Sequence, residues 1–245
     1  MGKSKNSFHF TVKDFSFWAP GVESPERYQA WAKGEMGSVE ENSPACKFLP
    51  AMFRRRLSRL SKIAFTVMQK HMDTPDLPTV FASRHGELFT TAKLLEDLLE
   101  EESLSPTRFS LSVHNSASGL FSIASKNKAP SVALANGYDT FCSALLEATA
   151  ILHRNPQQDV LLVIYDEYAD HAFKDFLKED YSYGLSLLLS SSAEGTKISG
   201  QRKAHEQGLA DDKSIQALDF FKWFLSEEQS CSISGNHCSW NWSKN

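Results

Sequence analysis

A nucleophile works best where the backbone holds it out rigidly and fixed donors favour negative charge. Residues 104–167 contain one such place. Pro130 and Ser131 open an apolar run that ends at Ala135, Asn136-Gly137 supplies a tight turn, and a helical pattern follows over residues 139–153. The residue at the turn, Tyr138, stands beside the unpaired N–H groups and positive dipole end of that helix, where enzymes place Ser or Cys. A phenol with a pKa of about 10 is roughly 99.9% protonated at neutral pH. The position has the architecture of an active site without its reactive atom.

Other residues with chemical potential read less sharply. Cys142 lies four residues past the turn, about one helical turn inward, and is expected as a small buried core residue. His85, in the turn Arg84-His85-Gly86-Glu87, has no nucleophile beside it in sequence and is expected to be structural. The run Asp166, Glu167, Asp170 and His171 has one imidazole and flexible acids after a strand, a composition typical of a solvated loop rather than a metal site. Cys231, His237 and Cys238 lack a fourth ligand and the spacing of a zinc knuckle, so no metal and no cofactor are expected. Arg54, Arg55, Arg56 and Arg59 form a basic cluster at the start of a helical pattern over residues 52–72. They are either a solvated face with salt bridges or a docking point for an acidic carrier protein or its phosphate.

The elements that must position these residues alternate between strand and helix patterns. Phe8, Phe10 and Val12 alternate with polar residues, and a helix carrying Tyr28 and Trp31 follows Ser24-Pro25. Residues 77–83 read as an apolar strand, followed by a helix over 88–101 with Ala92, Leu95 and Leu99 inward. Residues 107–114 alternate, Phe109, Leu111 and Val113 against Arg108, Ser110, Ser112 and His114, and are expected to be extended; a helix over 115–125 follows. Residues 159–167 form an unbroken apolar run, the sign of a strand buried on both faces, and 183–190 is β-prone. Residues 191–213 are polar and expected to be a mobile loop, after which Ser214 caps an aromatic helix over 215–225. The expected fold is α/β, a mostly parallel sheet with helices on both faces, in a single domain spanning 1–245.

Composition sets the outer limits. At 245 residues, 41% hydrophobic and 23% charged, the chain can build one sizeable core, and a net charge of −4 gives no reason to expect nucleic acid as a partner. No apolar run approaches the roughly 20 residues that span a bilayer, MGKSKNSFHF has no signal core, and the four cysteines form no CxxC pair, so a cytoplasmic location is expected.

Taken as an ordered set, several motifs resemble the amino-terminal half of β-ketoacyl synthases, the condensing enzymes of fatty-acid and polyketide synthesis. Ser105-Pro106, Phe109, Asn115 and Gly119 match the segment upstream of the nucleophile, and Pro130-Ser131 opens the turn whose cysteine position falls on Tyr138. WAPGVESPERYQAW, FRRRLSRLSKIAF, VFASRHGELFTTAKLL, DFFKWFL and SWNW are similar to stretches of the short chain-length-factor-like proteins of aryl polyene gene clusters. The resemblance implies half of a thiolase-like fold. It also implies a nucleophile lost to tyrosine and two catalytic histidines that belong to a second half not seen in this sequence.

Such a chain is expected to be non-catalytic alone and to form a pseudo-symmetric heterodimer with a full-length β-ketoacyl-ACP synthase. The resemblance puts Ser131, Val132, Ala133 and Leu134 at the two-fold axis. It puts Arg108, Phe109, Leu111, Ser112, Val113, His114 and Asn115 along the partner's acyl pocket. An acyl carrier protein is a further possible partner. Two alternatives remain open: a stand-alone homodimeric acyl-binding or scaffold protein, and an acyl hydrolase using Ser118 or Cys142, which no GxSxG motif supports.

Overall fold

The computed structural model describes residues 7–36, 40–101, 105–168, 181–204, 215–236 and 238–245. The first strand, β1 (Ser7–Trp18), shows how a simple pattern is kept in register. Its apolar residues fall on the even positions Phe8, Phe10 and Val12 and then on the odd positions Phe15 and Phe17, with Trp18 turned to the other face. A bulge between Val12 and Asp14 shifts the pairing by one, so that Phe10, Val12 and Phe17 all reach the same core. Gly195 allows the chain to pass close to the bulge, because a Cβ there would lie 2.3 Å from the Val12 carbonyl oxygen.

Helices α1 (Pro25–Ala32), α2 (Ala51–Arg54) and α3 (Arg59–Met68) follow, then β2 (Thr79–Ala82), α4 (Leu88–Glu101), α5 (Pro106–Ser110), α6 (Ser116–Ser125) and β3 (Ser131–Leu134). The remainder is α7 (Thr140–Arg154), β4 (Val160–Asp166), β5 (Tyr183–Ser190), β6 (Thr196–Ala204), α8 (Gln216–Leu225), β7 (Ser230–Ser234) and β8 (Cys238–Lys244). The strands form one eight-stranded sheet in the order β3-β2-β4-β5-β1-β6-β8-β7.

The layering is the expected α/β one. One core, with α1, α7 and α8, covers one face of the sheet, and a second, with α3 and α6, covers the other. Successive residues of β4 serve the two cores alternately: Val160, Leu162 and Ile164 one, Leu161, Val163 and Tyr165 the other. That is why its sequence is apolar without interruption. The sheet is mixed rather than parallel along its whole width. β3, β2 and β4 are parallel to one another, and every other neighbouring pair is antiparallel.

Four local expectations change. The pattern over residues 52–72 is not one helix, because the side chain of Ser58 accepts the Ser61 amide proton at 2.9 Å and starts α3 afresh. Residues 107–114 are not extended: Ser105 caps α5, Pro106 occupies its first turn, and turns follow. In α4 it is Leu94 that is buried, whereas Leu95 and Leu99 face outward. Within the polar stretch 191–213, residues 196–204 are not a loop but β6, held between β1 and β8. Its Ile198 is buried and its Gly200 admits the rings of Phe8 and Trp242, while exposed positions carry the polar residues. Residues 205–214, and with them the Ser214 cap, lie outside the described residues.

Candidate functional site

The elbow forms as the residue types require. Gly137 takes φ +53°, a conformation open to glycine at little cost, and leads through a short 3-10 turn into α7. The Thr140 hydroxyl donates to the Gly137 carbonyl at 2.7 Å and accepts the Asn136 amide proton at 2.9 Å, while the Asn136 side chain donates to the Ser143 hydroxyl at 2.8 Å. Gln216 reaches across from α8. Its Oε1 accepts the Cys142 amide proton at 3.4 Å, and its Nε2 donates to Asp139 at 3.0 Å and to the Ser234 carbonyl at 2.9 Å. An amide at the start of α7 is thus already served by the protein itself.

Tyr138 packs beneath Arg84. The Arg84 guanidinium carbon sits 3.6 Å from the centre of its ring, a close cation–π stack. The backbone beneath Arg84 is held by the buried Asp166 carboxylate, which accepts the Arg84 amide proton at 2.9 Å, the Ser83 hydroxyl at 2.7 Å and the Tyr183 hydroxyl at 3.3 Å. What remains between Arg84, Tyr138, Phe141, Ile164 and Tyr183 is a cavity of about 30 Å³. That is room for a water or two, not for an acyl chain.

The other candidate nucleophiles are in structural positions. Cys142 is fully buried, and burial pushes its thiol well above the usual cysteine range. The Ser118 hydroxyl donates to the Asn115 carbonyl at 2.9 Å within the first turn of its own helix. The amide of His85 lies 3.4 Å from Asp166, which makes it part of the turn under the elbow. Among the described residues no three His, Cys, Asp or Glu side chains are placed to hold a metal ion, and Asp170, His171 and His237 lie outside them.

The residues expected along a partner's pocket divide into two groups. His114 turns back into its own chain: its Nε2 lies 2.8 Å from the Ser83 carbonyl oxygen, and its ring packs so closely on Gly86 that a Cβ there would meet it at 2.7 Å. Arg108 pairs with Asp97 of α4, Ser112 donates to the Phe109 carbonyl at 2.9 Å, and Leu111 packs against the core. Phe109, Val113 and Asn115 face outward, Phe109 with 62% of its surface exposed.

β3 forms one edge of the sheet, with Ser131 exposed and Val132, Ala133 and Leu134 half-buried. Apolar side chains that the sequence pattern did not reveal face outward: Ile123 (67% exposed) on α6, which packs beside β3, and Leu95 (58%) and Leu99 (85%) on α4, which packs on α5. A helical period identifies an apolar stripe but not what covers it.

The basic cluster also divides. Arg55 and Arg56 are exposed and Arg54 is half-buried, and none of the three makes an ion pair with a described residue. Arg59 belongs elsewhere. It pairs with Glu41, lies 3.7 Å from Glu167, and donates to the Ser182 hydroxyl at 2.9 Å and the Asn42 carbonyl at 3.0 Å.

Residues 28–243 match the model of the β-ketoacyl synthase N-terminal domain family. Among solved structures, the chain is similar to one in the complex of a ketosynthase with its chain length factor from Xenorhabdus doucetiae. Identity is 30% and the TM-score 0.82, over 96% of this chain and 98% of that one. A type II polyketide ketosynthase complex with its acyl-carrier protein, bound to the hexaketide, shares the fold at 10% identity and a TM-score of 0.73, over 96% of this chain and 99% of that one. A β-ketoacyl synthase from Burkholderia phymatum shares it at 10% identity and a TM-score of 0.58, over 83% of this chain and 66% of that one. No curated protein matches.

Proposed function

The chain belongs to the β-ketoacyl synthase family through its amino-terminal domain, and from that premise we propose that it is a non-catalytic, chain-length-factor-like subunit. It pairs in the cytoplasm, as a single domain, with a cysteine-bearing β-ketoacyl-ACP synthase of aryl polyene or related polyketide synthesis. It stabilises that synthase and bounds its acyl pocket.

The observation that carries this reading is the contrast between a filled elbow and an open edge. At the elbow, Tyr138 under Arg84 leaves only about 30 Å³. At the edge, β3 has no described strand on its outer side, Ile123 faces outward on the neighbouring α6, and Leu95, Leu99 and Phe109 face outward on α4 and α5. A sheet edge with apolar side chains around it is stable in solution only when something covers it. The 30% identical neighbour, solved as a complex of a ketosynthase with its chain length factor, supports a synthase as that cover. A rigid aromatic such as Phe109 can reach across such an interface and set the floor of the partner's pocket. The exposed Arg55 and Arg56, with Arg54, offer positive charge to an acidic acyl carrier protein.

The test is co-expression with a ketosynthase encoded beside this chain, read by light-scattering mass and by condensation of a carrier-bound malonyl unit. A one-to-one complex is expected, with the same activity when Tyr138 is changed to Phe. A homodimer that ignores the synthase would instead favour a stand-alone acyl-binding or scaffold protein. A monomer in both preparations would overturn both readings.

A further inference from the structure

The side chain of Glu167, just past the end of β4, is 8% exposed, and its cation partner among the described residues is an Arg59 nitrogen 3.7 Å away. That guanidinium is already committed. It pairs with Glu41 and donates to the Ser182 hydroxyl and the Asn42 carbonyl. Glu41 in turn accepts the Ser182 hydroxyl at 2.7 Å and lies 3.4 Å from the Ser182 amide. These contacts clasp residues 40–42 against the start of α3 and the residues leading into β5. Among the described residues, the other charges acting on Glu167 are negative: Glu87 ahead of α4, Asp166 on β4 and Glu41 itself. A buried carboxyl that shares one arginine with a better-placed carboxylate is most stable with its proton on.

We propose that Glu41, Arg59 and Glu167 form a pH-sensitive latch on the segment 40–50. While Glu167 is neutral, Arg59 serves Glu41 alone and the segment stays down. Ionising Glu167 in place would ask one guanidinium to balance two carboxylates, the buried Glu167 and the partly exposed Glu41, so ionisation favours lifting the segment and letting water in. Burial pushes the Glu167 carboxyl up from the ordinary glutamate range to about 7, with Glu87, Asp166 and Glu41 adding to it and Arg59 opposing it. The sign follows. A group whose folded pKa is raised binds its proton more tightly in the closed form, so the closed form is most favoured at low pH and loses ground as pH rises from about 4.5 to about 7. The segment carries its own reporter. Cys46 is buried, its Sγ is 3.3 Å from the Lys62 carbonyl oxygen, and its backbone is held at φ +45°, an unfavourable angle for a residue other than glycine.

The experiment is thiol labelling of Cys46, located by peptide mass, in the whole chain and in its Glu167→Gln variant. The ratio of wild-type to variant rate removes the pH dependence of the thiol itself. That ratio should rise on the order of tenfold between pH 5.5 and 7.5, since only the wild type gains a charge. A ratio flat across that range overturns the latch. Carbon-13 titration of the glutamate carboxyls in the wild type gives a second reading that does not depend on the variant folding. A Glu167 midpoint in the ordinary glutamate range would also overturn it.

Discussion

The two ends of the sheet solve the same problem in opposite ways. At one end, β7 is a short outer strand whose Ser230, Ser232 and Ser234 are exposed and whose Ile233 is buried. Behind it lies a packed aromatic group: Trp240 stacks on Trp242 at 6.2 Å, and Phe8 and Phe220 meet Trp242 edge-on at 5.5 and 5.3 Å. At the other end, β3 carries half-buried Val132, Ala133 and Leu134, with Ile123 outward on α6 beside it. The chain completes its own core at the β7 end, and in the proposed reading the β3 end is the one a partner covers. Total hydrophobic content is ordinary. What distinguishes the two edges is where the apolar residues lie and what covers them.

The comparison can be broken by substitutions at each end. The largest effect on the isolated chain is expected at the finished end, where Trp242→Ala should cost about 3–5 kcal/mol in a denaturant titration, because the ring is fully buried among aromatics. Equal loss from Leu99→Ala would erase the distinction. At the open end, Val132→Asp should abolish co-purification with the synthase. It places an unpaired charge in the paired edge, an effect of about 3–5 kcal/mol on association with a smaller one on the chain alone.

Leu99→Asp is subtler and more diagnostic. Leu99 is 85% exposed, so the variant should stay within about 0.5 kcal/mol of wild-type stability while weakening the complex by about 1–3 kcal/mol, read as a shift in dissociation constant. The smallest expected effect is on product length. Phe109→Ala should lengthen the products of the reconstituted pair by making room at the pocket floor, with complex affinity nearly kept. An unchanged product distribution would leave Phe109 as part of the contact and not of the ruler.

The elbow and the central strand β4 were legible in the sequence, the two ends of the sheet less so. Asn136-Gly137 before an apolar-periodic run announced the turn, and the unbroken apolar stretch at residues 159–167 announced β4. Segment 107–114 was misread because seven alternating residues fit a strand as well as a short helix with turns. The capping Ser105 and the following Pro106 were the signal that decides. β6 was missed because its outward residues are Lys, Gln and Arg, which look like a loop until Ile198 and Gly200 are seen beneath the rings they serve. The outward face of α4 could not be read from its period, since Leu94, Leu95, Leu98 and Leu99 allow more than one inward stripe. Arg59 looked like one of four equivalent arginines, and only the fold brings Glu41 and Glu167 to it.

The central claim is that the β3 end, and not the β7 end, is built to be covered. Hydrogen exchange of the chain alone and in complex with the synthase tests it most directly. The account predicts new protection in Ser131–Leu134, in the second half of α4 and in α6, with β7 and β8 unchanged. Protection that appears at β7 and β8 while β3 continues to exchange as in the free chain would contradict it.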